Sequence, residues 1–220
     1  MIKVVLFDLG GVIIDLSGLD RFLARHGLIP DEFWPKWLQL GAGNDFERGH
    51  TSSQEFAQAF LEEFELTVSA EQFLTEFAEW PSGLLPGAPE LLADLNHVIT
   101  ASLSNNNPIH WSSTFTQQTL LGMFDRHFPS FELGLAKPAP EIFERVAQLL
   151  ETKPREIAFV DDNLVNVEAA RTVGLTAFHT RGPAEARAAL ATLPSLFSQL
   201  NDSPVPRRRQ TPRQAGTPEP

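Results

Sequence analysis

Four polar clusters, far apart along the chain, carry side chains that can do chemistry. The first is Phe7-Asp8-Leu9-Gly10-Gly11, in which a carboxylate follows directly after a hydrophobic run. The two glycines allow a tight turn and can bring backbone N–H groups close to an anion. Asp8 can therefore be a metal ligand, a nucleophile or only the cap of a loop.

The second and third clusters offer donors for an anion. Ser104-Asn105-Asn106-Asn107 supplies a hydroxyl group and loop N–H groups, which suit a phosphate oxygen or an ordinary turn. Lys137 comes just before a predicted helix N-terminus, where the helix dipole favours anions over cations. A lysine in that place indicates a neighbouring anion, with a solvated surface lysine as the alternative.

The fourth cluster places two carboxylates next to each other, Asp161 and Asp162, after the apolar pair Phe159-Val160. Adjacent carboxylates repel each other unless a cation holds them. Oxygen ligands without a nearby His or Cys favour Mg²⁺ over Zn²⁺. Together the four clusters supply a carboxylate nucleophile, a metal site, a lysine and a hydroxyl donor. This set indicates phosphoryl transfer through an aspartyl phosphate.

The elements between the clusters predict an α/β fold with a doubly wound parallel sheet, of the Rossmann-like kind. Apolar runs alternate with segments of helical periodicity, and the carboxyl ends of parallel strands open into one crevice. Distant clusters can therefore meet there. The predicted strands cover residues 3–7, 98–103, 157–160 and 176–179, and the predicted helices between them cover 89–95, 140–150 and 166–173.

A segment without a convincing strand interrupts this alternation. Within it Phe56, Phe60 and Phe64 recur every four residues, and Ser52 with Glu55 fits a capping box before them. These aromatic residues indicate core packing of a small helical module. The predicted organisation is a core of residues 1–16 and 84–200, a helical cap at 17–83 and a disordered tail at 201–220.

Composition excludes several classes of protein. The formal net charge is −11, which disfavours nucleic-acid binding because phosphate backbones are held by clustered Lys and Arg. No apolar run reaches the roughly 20 residues that a membrane crossing needs. The first residues do not form a signal sequence, and the chain has no cysteine, so we expect a cytoplasmic protein that binds neither nucleic acid nor membrane.

The motifs in their order resemble the haloacid dehalogenase superfamily of Mg²⁺-dependent phosphatases. Asp8 comes first, then the helical segment, Ser104-Asn105, Lys137 and finally Asp161-Asp162. The similarity extends over roughly residues 1–200, the size of one domain with a cap. It implies hydrolysis of a small phosphorylated metabolite, with the segment at 17–83 as the cap that closes over the site.

The resemblance also implies a role for each matched residue. Asp8 attacks phosphorus, and Lys137 orients Asp8 and offsets charge. Ser104 and the N–H of Asn105 bind the phosphoryl group, with Gly11 beside them in the substrate-binding set. The implied Mg²⁺ ligands are Asp8, the main-chain carbonyl of Gly10, Asp162 and, directly or through water, Asp161.

One position departs from the family pattern. Most of its phosphatases carry a second Asp two residues after the nucleophile, as acid and base; here that residue is Gly10. A good leaving group such as that of a sugar 1-phosphate lessens the need for an acid, and a subgroup with a similar Asp-x-Gly motif includes sugar 1-phosphate phosphatases. Alternatively Asp15 or His110 substitutes, or the chain is a weak catalyst that binds phosphorylated ligands or a regulatory partner.

Two further activities fit parts of the pattern. A haloacid dehalogenase would use Asp8 on carbon and needs no metal, which the pair Asp161-Asp162 argues against. A receiver domain of a two-component system has its acid pair before the phosphorylated Asp, the reverse of this order. The side chains named as candidates for a substrate pocket are Trp37, Asn44, Arg48 and Trp111.

Overall fold

Five parallel strands form the centre of the molecule. A computed structural model describes residues 1–193 and Leu196, so the predicted tail at 201–220 lies outside the described residues. The strands of the sheet are β1 Val4–Phe7, β4 Ile99–Ser104, β5 Arg126–Pro129, β6 Ile157–Asp161 and β7 Thr176–His179. Their order in the sheet is β5-β4-β1-β6-β7, with β1 in the middle. Two shorter strands, β2 Ile14–Asp15 and β3 Gly83–Leu84, form a separate antiparallel ribbon.

The central strand is apolar along its whole length because helices cover both faces of the sheet. Val4 and Leu6 pack into one hydrophobic cluster, whereas Val5 and Phe7 pack into another on the opposite face. All four side chains are fully buried. The predicted α/β fold with a doubly wound parallel sheet is therefore confirmed.

The sequence missed one strand of this sheet. Strand β5 pairs with β4 in parallel, but its residues Arg126 and His127 are polar and it ends in Pro129. A proline is tolerated here because β5 is an edge strand. An edge strand with this composition lacks the apolar run by which the other four strands were predicted.

The helices around the sheet begin at residues that suit a helix start. Pro140 opens the helix Pro140–Leu149, as the sequence predicts, and Asn163 caps Leu164–Thr172 by accepting a hydrogen bond from Val165 N–H. Within the described residues, no helix is both long and apolar enough to cross a membrane. The other helices around the sheet are Ala88–Asp94, Pro108–Trp111, Thr114–Gln118, Ser130–Leu133, Gly182–Leu190 and the 3₁₀ turns Leu120–Gly122 and Pro154–Glu156.

Between β2 and β3 the chain forms a helical insert, the name used below for residues 17–83. The predicted capping box is present: Ser52 accepts from Glu55 N–H, and the Glu55 carboxylate accepts from Ser52 N–H. The expectation of no strand in 17–83 is wrong at Gly83, which pairs with Asp15 where the insert rejoins the core. The helices of the insert are Ser17–His26, Pro30–Gln39, Gly41–Glu47, Ser53–Glu63 and Ala70–Phe77.

Aromatic packing holds the helical insert together. Phe60 is fully buried at its centre, with ring centroids 4.3 Å from Phe73 and 4.4 Å from Phe64. Phe56 is also fully buried, as its helical spacing predicts. The insert has its own hydrophobic cluster, separate from the two beside the sheet. We propose on this ground that it is a cap distinct from the core.

We predict that Phe60→Ala lowers the free energy of unfolding by about 3–5 kcal/mol, because it opens a cavity that neighbouring rings cannot fill. Urea unfolding followed by circular dichroism measures this loss. Leu38→Ala is the control within the insert, since Leu38 is 65% exposed; we expect a change within about 0.5 kcal/mol. Equal losses for the two variants would contradict the aromatic-core assignment.

Candidate active site

The polar clusters meet at the carboxyl edge of the sheet. Asp8 follows β1, Ser104 ends β4 and Asp161 ends β6. Because β1 lies between β4 and β6, these three strand ends are neighbours. Carboxylate oxygens of Asp8, Asp161 and Asp162 all lie within 4.8 Å of one another. The topology of the sheet thus brings aspartates more than 150 positions apart in sequence into one acidic cluster.

Lys137 joins this cluster through two buried ion pairs. Its Nζ donates to Asp8 Oδ1 at 2.8 Å and to Asp161 Oδ2 at 2.6 Å. The anions that its sequence position indicated are thus carboxylates. The backbone of Lys137 is fixed by the Asn105 side chain, whose Nδ2 donates to the Lys137 carbonyl at 2.9 Å and whose Oδ1 accepts from the Lys137 N–H at 2.8 Å. Asn105, from the second polar cluster of the sequence, therefore positions Lys137, from the third.

The two late aspartates occupy different environments. Asp161 is fully buried, and its oxygens accept hydrogen bonds from the Asn163 N–H, from Asn166 Nδ2 and from Lys137. Asp162 is half-buried and lines the cavity above the sheet edge. A cation in the cavity would therefore meet Asp8 and Asp162, while Asp161 is bound by protein donors that hold Lys137 in place.

The electrostatics of the cluster follow from burial and from like charges. Burial raises the pKa of Asp8, which Lys137 opposes. Burial also raises the pKa of Asp162, and the neighbouring Asp161 raises it further. Burial alone would lower the pKa of Lys137, but the charges of Asp161 and Asp8 outweigh it and raise this pKa. With all four groups ionised, three carboxylates and one ammonium leave a net charge of −2, which fits a divalent cation with oxygen ligands.

The loop after β1 requires a glycine at position 11, because there is no room for a side chain. Its φ is +67°, and a Cβ would lie 2.3 Å from Asp162 Oδ2. Its N–H donates to the Ile14 carbonyl at 3.0 Å. From the sequence we expected this N–H to be available to an anion, but here it is already used in a hydrogen bond. The role that the structure supports for Gly11 is to let the backbone pass close to Asp162.

A cavity of about 500 Å³ lies between the acidic cluster and the helical insert. Two of the four pocket candidates, Trp37 and Asn44, line it. Arg48 instead donates to the Asn44 carbonyl, and the Trp111 ring packs beside His127. The core side of the cavity contains Asp8, Gly10, Ser104, Asn105, Lys137 and Asp162, and the insert side contains Trp34, Trp37, Leu38, Asn44 and Glu47.

The two candidate replacements for the missing acid have structural contacts. Asp15 accepts hydrogen bonds from the N–H and hydroxyl of Ser17 at the start of the first helix of the insert. The His110 ring bonds the Phe77 carbonyl at 2.7 Å through Nε2, and burial lowers its pKa to about 4. A ring that is neutral at physiological pH and bound to a carbonyl is poorly suited to proton transfer.

Sequence reasoning missed three residues of the site. Glu47 enters the cavity from the insert, Ser130 accepts the Asn106 N–H at 2.9 Å, and Asn166 positions Asp161. Asn166 begins the predicted helix 166–173, but the sequence pattern assigned it no role in the site. Glu47 and Ser130 carry no local signal, because their roles depend on how the insert lies against the core.

The fold and site together define an α/β protein with a five-stranded parallel sheet and a carboxylate cluster at its carboxyl edge. The family model for haloacid dehalogenase-like hydrolases matches residues 2–174. The chain belongs to this family, and the resemblance stated from its motifs is confirmed.

Relatives in the family include phosphatases. The chain is 29% identical over 206 residues to the D-ribitol-5-phosphate phosphatase of Bacteroides thetaiotaomicron. The aligned region covers 88% of this chain and 98% of that protein. A Bacteroides thetaiotaomicron family enzyme, solved with magnesium and inorganic phosphate, is similar with a TM-score of 0.65 at 26% identity, covering 82% of this chain and 95% of that one. A predicted hydrolase of the family from Porphyromonas gingivalis gives a TM-score of 0.70 at 25% identity, covering 89% and 98%.

We predict that Lys137→Met lowers the free energy of unfolding by about 3–5 kcal/mol in metal-free buffer, because two buried carboxylates lose their cation. Chemical unfolding in the presence of EDTA measures the loss. Lys153→Met, which alters an exposed lysine, is the matched control with an expected change within about 0.5 kcal/mol. A stable Lys137→Met protein would mean that the carboxylates do not depend on this ammonium.

Proposed function

We propose that the protein is a Mg²⁺-dependent phosphatase that hydrolyses a small phosphomonoester through an aspartyl phosphate. The observation that carries the proposal is the buried Lys137 bridging Asp8 and Asp161 beside a cavity lined by Asp162. Such a cluster holds an ionised carboxylate ready while offering positive charge to phosphoryl oxygens. Asp8 is the proposed nucleophile, because it combines the Lys137 contact with a place on the cavity wall.

In this mechanism a carboxylate oxygen of Asp8 forms a bond to phosphorus, and the bond from phosphorus to the leaving oxygen breaks. Lys137 orients Asp8 through its 2.8 Å contact and favours the ionised form of this carboxyl group against the effect of burial on its pKa. Ser104 and Asn105 border the same cavity and are the proposed phosphoryl-binding residues. The residues that would hold Mg²⁺ are Asp8, Asp162 and the Gly10 carbonyl, and the ion would neutralise charge on the phosphoryl oxygens.

The comparisons support this proposal at the level of the substrate class. One relative is named for a phosphorylated sugar alcohol, and a similar structure was solved with magnesium and inorganic phosphate. The sugar 1-phosphate suggested by Gly10 remains a candidate within this class. The acidic pair Asp161 and Asp162 favours phosphate chemistry over dehalogenation. A phospho-ligand-binding protein without turnover is the alternative, and the next experiment distinguishes it.

We predict that the parent protein releases phosphate from p-nitrophenyl phosphate only with Mg²⁺, and that Asp8→Asn reduces kcat by at least about 10³-fold, because an amide cannot form the acyl phosphate. Asp31→Asn, an exposed aspartate in the insert, is the control and should keep the parent rate. Asp8→Asn with parental turnover would refute the nucleophile assignment. Phosphate binding without turnover in the parent would favour the binding protein.

We predict that saturating Mg²⁺ raises the melting temperature of the EDTA-treated parent by roughly 5–10 °C, the shift expected at about one hundred times the Kd. Asp162→Asn should remove most of this rise, because it deletes the cavity-facing carboxylate. Differential scanning calorimetry measures both, with Asp31→Asn as the control. An undiminished shift in Asp162→Asn would place the cation elsewhere.

A further inference from the structure

Glu47 is an acidic side chain of the helical insert that lies at the catalytic cavity. It is the last residue of the helix Gly41–Glu47 and lines the same cavity as Asp8. The side chain of Asn105, the residue after Ser104, is close enough to hydrogen-bond with the Glu47 carboxyl group, which opposes the rise that burial causes in the pKa of Glu47. Asn105 Nδ2, the group that can donate to a carboxylate, also donates to the Lys137 carbonyl at 2.9 Å. The carboxyl group is therefore placed beside the proposed phosphoryl-binding loop.

The backbone around Glu47 is fixed to the core. The Ser130 hydroxyl donates to the Glu47 carbonyl and also contacts both the N–H and the carbonyl of Asn106. Two residues later, Gly49 has a φ of +73°, and a Cβ there would lie 2.6 Å from the Phe131 carbonyl oxygen. This close approach requires glycine. The insert thus presents Glu47 to the cavity from a docked turn rather than from a free loop.

The environment of Glu47 suits proton exchange near neutral pH. Burial raises the pKa of its carboxyl group to about 7, against the opposing charges of Lys137 and Arg48. The other titratable side chains on the cavity wall are Asp8, Lys137, Asp162 and His110. A carboxyl group with such a pKa is populated in both protonation states under physiological conditions, as an acid–base catalyst must be.

We propose that Glu47 is the acid–base residue of the reaction and takes the place of the side chain that Gly10 lacks. This inference rests on the proposed phosphatase function. A glycine at position 10 cannot transfer protons, and Asp15 and His110 are engaged in structural contacts. Glu47 combines a carboxyl group, a place on the cavity wall and a bond to the phosphoryl-binding loop.

Two proton transfers define the role. In the first step Asp8 forms its bond to phosphorus, the bond to the leaving oxygen breaks, and that oxygen takes the proton of the Glu47 carboxyl group. In the second step the Glu47 carboxylate accepts a proton from water, whose oxygen bonds to phosphorus while the bond from phosphorus to the Asp8 oxygen breaks. Alcohol and inorganic phosphate leave, and Glu47 is protonated again.

Glu47→Gln tests this role through the dependence of kcat/KM on leaving-group acidity, with a series of substituted phenyl phosphates and one alkyl phosphate. The parameter kcat/KM reports steps up to departure of the alcohol. Without a proton donor, poor leaving groups should lose about 10²–10⁴-fold and p-nitrophenyl phosphate much less. Glu62→Gln, an exposed glutamate of the insert, is the matched control and should give the parental slope.

Gly10→Asp in the Glu47→Gln background provides a rescue. The three atoms nearest to a Cβ at Gly10 would all belong to the flexible side chain of Leu16, the closest at 3.0 Å. Restoring a carboxyl group there should recover much of the rate on poor leaving groups. Glu47→Asp retains an acid one methylene shorter and should keep a slope closer to that of the parent, so it tests the role even where Glu47→Gln folds poorly.

The outcomes separate this inference from the proposed function. A steeper slope in Glu47→Gln supports the acid role, and so does a burst of one released nitrophenol per enzyme from slowed hydrolysis of the aspartyl phosphate. A uniform loss on all substrates, with an unchanged slope, overturns it and leaves Glu47 a residue that only holds Asn105. A parent that turns over no ester with Mg²⁺ overturns the phosphatase proposal itself.

Discussion

A single buried ammonium group determines the organisation of the site. Carboxylate oxygens of three aspartates lie within 4.8 Å of one another, and Lys137 is bonded to two of these residues. Carboxylates at such distances, removed from water, are strongly unfavourable without cations. Lys137 supplies one positive charge and leaves a residual charge of −2, which disposes the cavity toward a divalent ion. The central position of β1 in the sheet is what makes this arrangement possible, because it brings Asp8 beside Asp161.

The helical insert forms one wall of the cavity, through residues such as Trp37 and Glu47. Stacked rings such as Phe60 and Phe73 give it a core of its own. Hydrogen bonds attach it to the core, among them those in which the Glu47 carbonyl accepts from Ser130 and the Phe77 carbonyl from His110. A module with an independent core can move as a unit, and a small set of polar contacts can break and form again. We propose on this ground that a ligand enters and leaves the cavity between insert and core without unfolding of either part.

Much of the core could be predicted from sequence because its signals are local. An apolar run followed by Asp8, Ser104 or Asp161 marks a strand end, and parallel strands bring such ends together. The edge strand β5 was not predicted, because Arg126 and His127 interrupt any apolar run. The place of Glu47 in the site could not be predicted for a different reason. The periodicity of a short helix does not indicate which of its polar residues will lie against a distant core. That information depends on the docking of the whole insert.

In the proposed mechanism Gly10 and Glu47 are connected, because the loop after Asp8 lacks an acid and the insert supplies one. Leu16 lies beside Gly10, where a Cβ would be 3.0 Å from its Cδ1, so the space next to the nucleophile loop belongs to an apolar residue at the entrance to the insert. With the proposed acid on the insert instead of the loop, proton transfer would require the turn after Glu47 to be docked on the core. The hydrogen bond from the Ser130 hydroxyl to the Glu47 carbonyl is a contact that holds this turn in place. The proposed chemistry therefore depends on the packing of the insert against the core.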